Sequence, residues 1–541
     1  MTEKDSRLPD RPRVPSLGHQ LMRGRAGLAI KSPLPDMARR RFVINVGSNL
    51  GYLVLNTALM LWYIPFLIRH LGLAAYGMIP LANSLVMYAG IISTGLDTSI
   101  IRFLAIDLNQ GNDAAANRTF NTALALSLAA CGILVLPAGV VIYCFPVLFQ
   151  VPSGLALATQ VLFASVGITT LAAILSGNFG VASAITHRFD LRNLVRSATA
   201  VSRVGVIVLC FFIWPPSLWS VAGGFIVSAC IGLAGDVLVW RRLAPQLHVN
   251  WRAVDRHRFG VFIGLSSWVT VSQIGFLLLS QVDLLIVNAL FGAETTGRYG
   301  SVLLFPTLIN TMIGTITTVL GPAIIGRYAV GDIEGLRRIT VRSVKLIGIG
   351  LALPIGLLGG FGGPLLNLWL GSEFIALDLL LVLLTGHLSV NLAIMPVVYV
   401  LTAYNRVKLQ GLATLALGIM DVVLAIALAR WGGLGAVGVA AAGAIIWTVR
   451  NTGFLSSYSA FIMGLPWWIF YPPLAIGALG TLSVAAAGRL ISQLWWPSSW
   501  LTLGTTGAAI GAVYTVLAYA FGLNHSDRDL LWSLMRRKPH M

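Results

Sequence analysis

Between residues 42 and 522 the sequence returns repeatedly to runs of 18 or more residues carrying few or no charges. A helix of that length crosses ~30 Å of hydrocarbon, where every backbone N–H and C=O must be satisfied internally; a helix does this and an open sheet edge does not. The chain is therefore expected to be an all-α polytopic membrane protein. Its charged fraction agrees, at 10% against about 25% in soluble domains. Fourteen spans are expected, near 43–68, 76–100, 119–144, 158–180, 197–214, 218–240, 259–290, 299–325, 343–368, 375–402, 408–430, 434–456, 468–490 and 498–522. The segment 181–196 reads as an interfacial helix.

The net charge of +18 would suggest nucleic acid for a soluble chain, but its placement excludes that partner. Residues 1–41 hold ten Lys/Arg and no apolar signal core, which predicts a disordered basic tail lying on an anionic leaflet. An even span count puts both termini on one side. Loops on that side, with the tails, hold 33 of the 37 basic residues, leaving Arg69, Arg298, Arg430 and Arg489 opposite. The positive-inside rule then makes both termini cytoplasmic. The four cysteines have neither CxxC spacing nor a paired histidine, so they read as packing residues, and no metal site or cofactor is expected.

A repeat divides the chain. LIRHLGLAAYGMIPL (67–81) returns as LIVNALFGAETTGRYGSVL (285–303). Aligning Tyr76-Gly77 with Tyr299-Gly300 brings Thr94, Leu96 and Ala105 onto Thr318, Leu320 and Ala329 after a one-residue shift, and GNDAAANRT (111–119) matches GDIEGLRRIT (331–340). Six spans per unit keep both units in one orientation, so two parallel-repeat six-helix lobes are expected, plus a C-terminal helix pair. The expected organisation is a tail 1–41, a lobe 42–240, a basic linker 241–258, a lobe 259–460, the helix pair 461–522 and a basic tail 523–541. Tyr76 and Tyr299 are expected at the membrane interface.

Span 1 carries Asn45, Asn49, Tyr52 and Asn56 on one helical face. Such a stripe suits a hydroxyl-rich ligand in a wet cavity, and it equally suits hydrogen bonding between helices. The repeat places span 1 at the lobe interface and favours the cavity. Asn83, Gln273 and Asn310 join the cavity candidates. Asp97 and Asp283 are candidates for coupling or gating, since a carboxylate facing lipid costs ~2.5–3.5 kcal/mol on insertion scales. Asp236 and Asp421 are weaker candidates, and His387, with Asn391 four residues on, reads as a packed histidine.

IPFLIRHLGLAAYGMIPLANSL, followed by TGLDTSIIRFLA, resembles the opening of polysaccharide transporters and O-antigen flippases, and QVDLLIVNALFGAETTGRYGSV resembles the start of their second lobe. The resemblance runs from about residue 40 to 522, within the multidrug/oligosaccharidyl-lipid/polysaccharide flippase superfamily. It implies a V-shaped pair of six-helix bundles in a bacterial inner membrane. It also implies that an undecaprenyl-pyrophosphate-linked oligosaccharide is moved from inner to outer leaflet by alternating access; polysaccharide polymerase machinery is a candidate partner. A pyrophosphate calls for cations; Arg102 and Arg327 are the candidates, although positive-inside anchoring explains both equally well. The coupling ion would be Na⁺ or H⁺. Lipid II flippases carry arginines in their first helices; none lies between Arg41 and Arg69 here, which argues against a peptidoglycan precursor. The alternatives are a cation-coupled multidrug antiporter and a membrane glycosyltransferase or polymerase. Against the enzyme, the outer loops offer only Glu294, Glu373 and Asp378, without a paired-carboxylate spacing, and no GxxxxGK[ST] loop is present.

Overall fold

The computed structural model describes residues 35–255, 257–525, 527 and 528, apart from the side chains of 35–40, 42, 85, 86, 88–99, 102, 105, 109, 257–271, 318 and 319. Most of the expected N-terminal tail and C-terminal residues 529–541 lie outside these. Every regular element described is a helix. The first half holds α1 (Pro35–Leu71), α2 (Leu73–Asn109), α3 (Asp113–Leu148), α4 (Ala156–Ile185), α5 (Phe189–Ile213) and α6 (Leu218–Leu243). The second holds α7 (His257–Val302), α8 (Leu304–Ala329), α9 (Ile333–Trp369), the short α10 (Asp378–Gly386), α11 (Leu388–Asn391) and α12 (Val397–Ala403), then α13 (Val407–Ile426), α14 (Gly435–Thr448) and α15 (Ser456–Ile462). A final pair, α16 (Tyr471–Leu494) and α17 (Trp500–Leu517), closes the chain, with α16 lying along α9.

Among the described residues, eleven stretches are long and apolar enough to cross a membrane, rather than the fourteen expected. One of them, Ser272–Ala329, is 58 residues long and reverses at Gly292, so two expected passes merge there. The expected span 375–402 is broken into α10, α11 and α12 by turns at His387 and at 392–396. The expected interfacial helix 181–196 does not exist as a unit. Its residues extend the ends of α4 and α5 around a tight turn at His187, where φ is 54°.

The repeat is structural, with a register of 220 residues. Gly72 (φ 79°) starts α2 and Gly292 (φ 83°) starts its counterpart, both in backbone conformations that favour glycine. Further on, Gly111 and Gly331 also take positive φ, and Asn112 and Asp332 each cap the next helix, accepting from Ala115 N at 2.9 Å and Gly335 N at 2.8 Å. This register pairs Gly77 with Gly297, not with Gly300 as the Tyr-Gly match suggests. The two tyrosines are not interfacial either. Tyr76 and Tyr299 are buried, because both point into the crossing between the halves.

That crossing is close. A Cβ on Gly77 would sit 2.5 Å from the Ala293 carbonyl oxygen, and one on Gly297 would sit 2.2 Å from that of Leu73. Around it a single apolar core joins both halves, with Leu67, Met78 and Leu81 meeting Val287, Val302 and Leu366. Trp369 Nε1 donates to Leu61 O at 2.6 Å, Gln150 N donates to Asn288 Oδ1 at 3.0 Å and Gln150 Nε2 donates to Ala289 O at 3.1 Å. At the opposite, arginine-rich end the buried apolar clusters separate. One, around Phe120 and Trp240, belongs to the first half, and another, around Ile324 and Leu401, belongs to the second. The described core is thus shared at one end of the bundle and split at the other.

From Ala244 the chain returns across the start of α3. Asn117 Oδ1 accepts from His248 N at 2.9 Å, and Asn121 accepts from Asn250 N at 2.7 Å while donating to His248 O at 2.9 Å. Thr122 Oγ1 then accepts from Asp255 N at 3.0 Å. The linker is a strap on α3 as far as Asp255.

Replacing Gly297 by Val forces a branched side chain against the Leu73 backbone, which cannot give way as a flexible side chain would. In protein lacking the four native cysteines, a reporter Val151→Cys should react several-fold faster with an impermeant maleimide when Gly297→Val is present. Equal labelling would mean that the crossing tolerates the added bulk.

Candidate functional site

Two polar cavities and one apolar groove are built from these helices. The first cavity, about 360 Å³, lies between α1, α4, α5 and α6. Tyr52 and Asn56 enter it from α1, Thr169 and Ser176 from α4, Arg192, Arg196, Thr199 and Arg203 from α5, and Ser228 and Asp236 from α6. Helical spacing puts the three arginines and Thr199 on one face. Arg203 lies over the Phe225 ring at 5.2 Å, and Asp236 hydrogen-bonds Ser176 within the field of Arg192 and Arg196. The result is a concave site with three arginines, one carboxylate and several neutral hydrogen-bonding groups, basic on balance. Guanidinium groups so placed bind anionic oxygens in pairs, as phosphates require.

The asparagine stripe of α1 divides between both of its readings. Asn45 Nδ2 donates to His187 O at 2.9 Å, and Asn49 Oδ1 accepts from Asn193 Nδ2 at 2.8 Å, so these two fasten α1 to the α4–α5 turn and to α5. Tyr52 and Asn56, one and two turns further on, face the cavity. One position round the helix, Leu53 and Thr57 face the other way. There they line an apolar groove of about 780 Å³ completed by Phe305 and Met312 of α8, Leu357 and Phe361 of α9, and Leu503 and Gly507 of α17.

The second cavity, about 280 Å³, lies within the second half and contains Asp283 and Asn310. Tyr299 donates its hydroxyl to Asp283 Oδ2 at 2.8 Å, while Asp283 Oδ1 is buried without a protein partner. Asp421 on α13 is fully buried, neither of its carboxylate oxygens has a protein partner, and it is close enough to Asp283 for the two charges to interact. Two carboxylates in each other's field and without a basic partner are costly to ionise together, so protonation or a cation at one of them is favoured.

The remaining candidates scatter. Asn83 donates to Ile79 O of its own helix, and neither Asn83 nor Gln273 lines either cavity. Arg327 is exposed at the end of α8 and forms an ion pair with Asp332, whose carboxyl the Arg327 guanidinium and the Gly335 amide hold below the usual range. The side chains of Asp97 and Arg102 lie outside the described residues. His387, expected to be a packed histidine, lines the second cavity, with Nδ1 2.9 Å from Asn391 Nδ2.

Sequence reasoning missed Arg192, Arg196 and Arg203 as cavity residues because span 5 was expected to start at 197, which left the first two in the expected interfacial helix 181–196. Their four- and seven-residue spacing running into an apolar segment is the signal that finds them. Arg450, counted with the basic residues of the cytoplasmic side although it falls in the expected span 434–456, is buried and donates to Thr414 Oγ1 at 3.0 Å. The carboxylates expected in outer loops, Glu294, Glu373 and Asp378, sit beside arginines. Arg298 pairs with Glu294 at 3.0 Å and lies 3.6 Å from Glu373, and Arg489 pairs with Asp378 at 2.6 Å.

A family model described as "Polysaccharide biosynthesis protein" matches residues 42–326. The chain is 29% identical to the membrane protein EpsK of Bacillus subtilis (strain 168) over 501 residues, 92% of this chain and 98% of that one. It is 24% identical to a proposed O-antigen transporter of Shigella flexneri over 365 residues, 65% of this chain and 82% of that one. Among solved structures, the fold is similar to the lipid II flippase MurJ in an inward closed conformation. That match has a TM-score of 0.64 at 12% identity and covers 90% of this chain and 100% of that one. An inward-facing multidrug resistance MATE family transporter matches with a TM-score of 0.58 at 15% identity, over 75% and 94%.

A charge-assisted hydrogen bond contributes about 1.5–3 kcal/mol, so removing two guanidinium groups should weaken anion binding at least about tenfold. Calorimetry with inorganic pyrophosphate on purified Arg192→Gln/Arg196→Gln protein tests this. Unchanged affinity would exclude the α5 face as the anion site.

Proposed function

This chain belongs to the polysaccharide biosynthesis protein family, and we propose that it is a flippase for an undecaprenyl-pyrophosphate-linked oligosaccharide of a bacterial surface polysaccharide. One observation carries the reading: a basic polar cavity and a long apolar groove flank the same helix, α1. A ligand that uses both has an anionic head beside a long hydrocarbon tail. In this reading Arg192, Arg196 and Arg203 take the pyrophosphate, Tyr52 and Asn56 meet the head group, and the groove beside α17 holds the polyprenyl chain. Cationic drugs fit this site poorly, because three guanidinium groups repel them. A glycosyltransferase reading loses its carboxylates to ion pairs with Arg298 and Arg489.

Translocation runs from the inner to the outer leaflet of the cytoplasmic membrane, with both termini cytoplasmic and the arginine-rich end facing the cytoplasm. The two six-helix lobes, 42–240 and 259–460, rock about the Gly77–Gly297 crossing, which supports a conformation closed at the outer end. The likeness to a proposed O-antigen transporter supports this substrate class. The buried pair Asp283–Asp421 takes a Na⁺ or H⁺ and couples its movement to the cycle, with Tyr299 fixing one carboxylate.

Mass spectrometry of undecaprenyl-linked oligosaccharides in membranes with and without the gene is the direct test. One lipid-linked species should accumulate on depletion; an unchanged lipid pool in a strain without a redundant transporter would falsify the flippase reading. The coupling role has its own test. Asp283→Asn should remove the dependence of transport on Na⁺ or pH, and transport by the variant that still follows either gradient would free Asp283 of that role.

A further inference from the structure

The second cavity is chemically unlike the first. Among the described residues no lysine or arginine lines it; its walls carry Ser280, Gln281, Asp283, Asn310, His387 and Trp447. Ser280 Oγ and Asp283 Oδ1 are buried without a protein hydrogen-bond partner, an arrangement costly enough to invite polar hydrogens from a ligand. The donor on the facing helix is set by its neighbours. Thr448 donates to Ala444 O at 2.7 Å, so towards Asn391 Nδ2, 3.2 Å away, it can only accept. That fixes the Asn391 amide with its nitrogen towards His387 Nδ1, and the imidazole proton therefore sits on Nε2.

Trp447 supplies a fixed flat surface. Its Nε1 donates to Leu279 O at 3.0 Å, and Phe276 packs edge-on at 5.6 Å. A carboxylate, neutral donors and an indole together suit a sugar ring, whose hydroxyls donate to Asp283 and whose C–H face rests on Trp447. An anion finds no guanidinium or ammonium partner among the described lining residues. An organic cation would use the same indole, but the Arg450 guanidinium already lies 5.6 Å from that ring and repels a second cation. The volume decides the size. At about 280 Å³ the cavity falls just short of the ~300–1,000 Å³ of drug-sized sites, which fits one ring.

We infer that this cavity is a carbohydrate subsite holding one sugar ring of the glycan whose pyrophosphate sits in the first half. The inference rests on the substrate reading of the preceding subsection. It makes the substrate a bridge, with its charge in one half and its sugar in the other.

Gly443 provides the test. A Cβ there meets only Asp283 Oδ2, at 3.9 Å, so a larger side chain fills the cavity without striking backbone. The full-length protein in detergent is titrated with methyl glycosides of glucose, galactose and their N-acetylamino forms, read by saturation-transfer NMR, and separately with undecaprenyl pyrophosphate. At least one glycoside should bind, and Gly443→Val should weaken it at least about tenfold while sugar-free undecaprenyl pyrophosphate binds as before. His387→Ala, which removes a donor without filling space, should weaken the same glycoside. Undecaprenyl pyrophosphate binding without any glycoside signal, or a glycoside signal that survives Gly443→Val, overturns the subsite alone. Tetraphenylphosphonium binding that Gly443→Val abolishes overturns it in favour of a cation site. Failure of the wild-type protein to bind undecaprenyl pyrophosphate overturns the head-group reading instead.

Discussion

Helices already in lipid gain little from hiding apolar side chains, so two halves of a membrane protein hold together where backbones come close and polar groups pair. Gly77 and Gly297 provide that approach here, at equivalent points of the repeat. Everything nearby depends on it. Tyr76 and Tyr299 are buried because the crossing leaves them no path to the interface, and Tyr299 is thereby placed to bond Asp283. The contacts of Gln150 with Asn288 and of Trp369 with Leu61 lie at the same end. With the halves pinned there, their other ends are left to form separate cores.

The polar groups of the bundle are sorted by the faces of a few helices. On α1, a rotation of one residue separates the Tyr52–Asn56 face, which looks at arginines, from the Leu53–Thr57 face, which looks at hydrocarbon. Arginine within a membrane is expensive unless it faces a cavity or a partner, and α5 places its three where Asp236, hydroxyls and the Phe225 ring share the load. The second half excludes arginine from its cavity wall and concentrates buried carboxylates instead. That division of charge between the halves is what gives the two cavities different ligand chemistry.

Much of the architecture was legible in the sequence. Apolar run length announced the helices, and the Leu-Gly and Gly-Asn/Gly-Asp punctuation announced a repeat, because left-handed backbone and N-caps need those residue types. The register of the repeat was not legible from Tyr-Gly. A tyrosine can shift along a helix while the backbone approach of Gly77 and Gly297 cannot. Helix ends were the weak point elsewhere. His187 turns the chain without a glycine or proline, so residues 181–196 looked like a separate interfacial helix, and Arg192 and Arg196 were placed there rather than in a membrane span. Within the site, periodicity put Asn45, Asn49, Tyr52 and Asn56 on one face but said nothing of the neighbour, and Asn193 claims Asn49. The Asp421–Asp283 pairing depends on which helices pack together, which no single helix records.

The strap of residues 248–255 on α3 has a mechanical meaning. A linker between two rocking bodies is usually pictured as a loose tether that takes up the motion along its length. Here Asn117, Asn121 and Thr122 hold it down residue by residue, so it travels with the first half as a fixed outrigger. Any swing of one half against the other is then delivered beyond Asp255, directly into the root of α7. That helix carries Asp283 towards its far end, so in the proposed rocking motion it would act as the arm of a lever whose fulcrum is the glycine crossing.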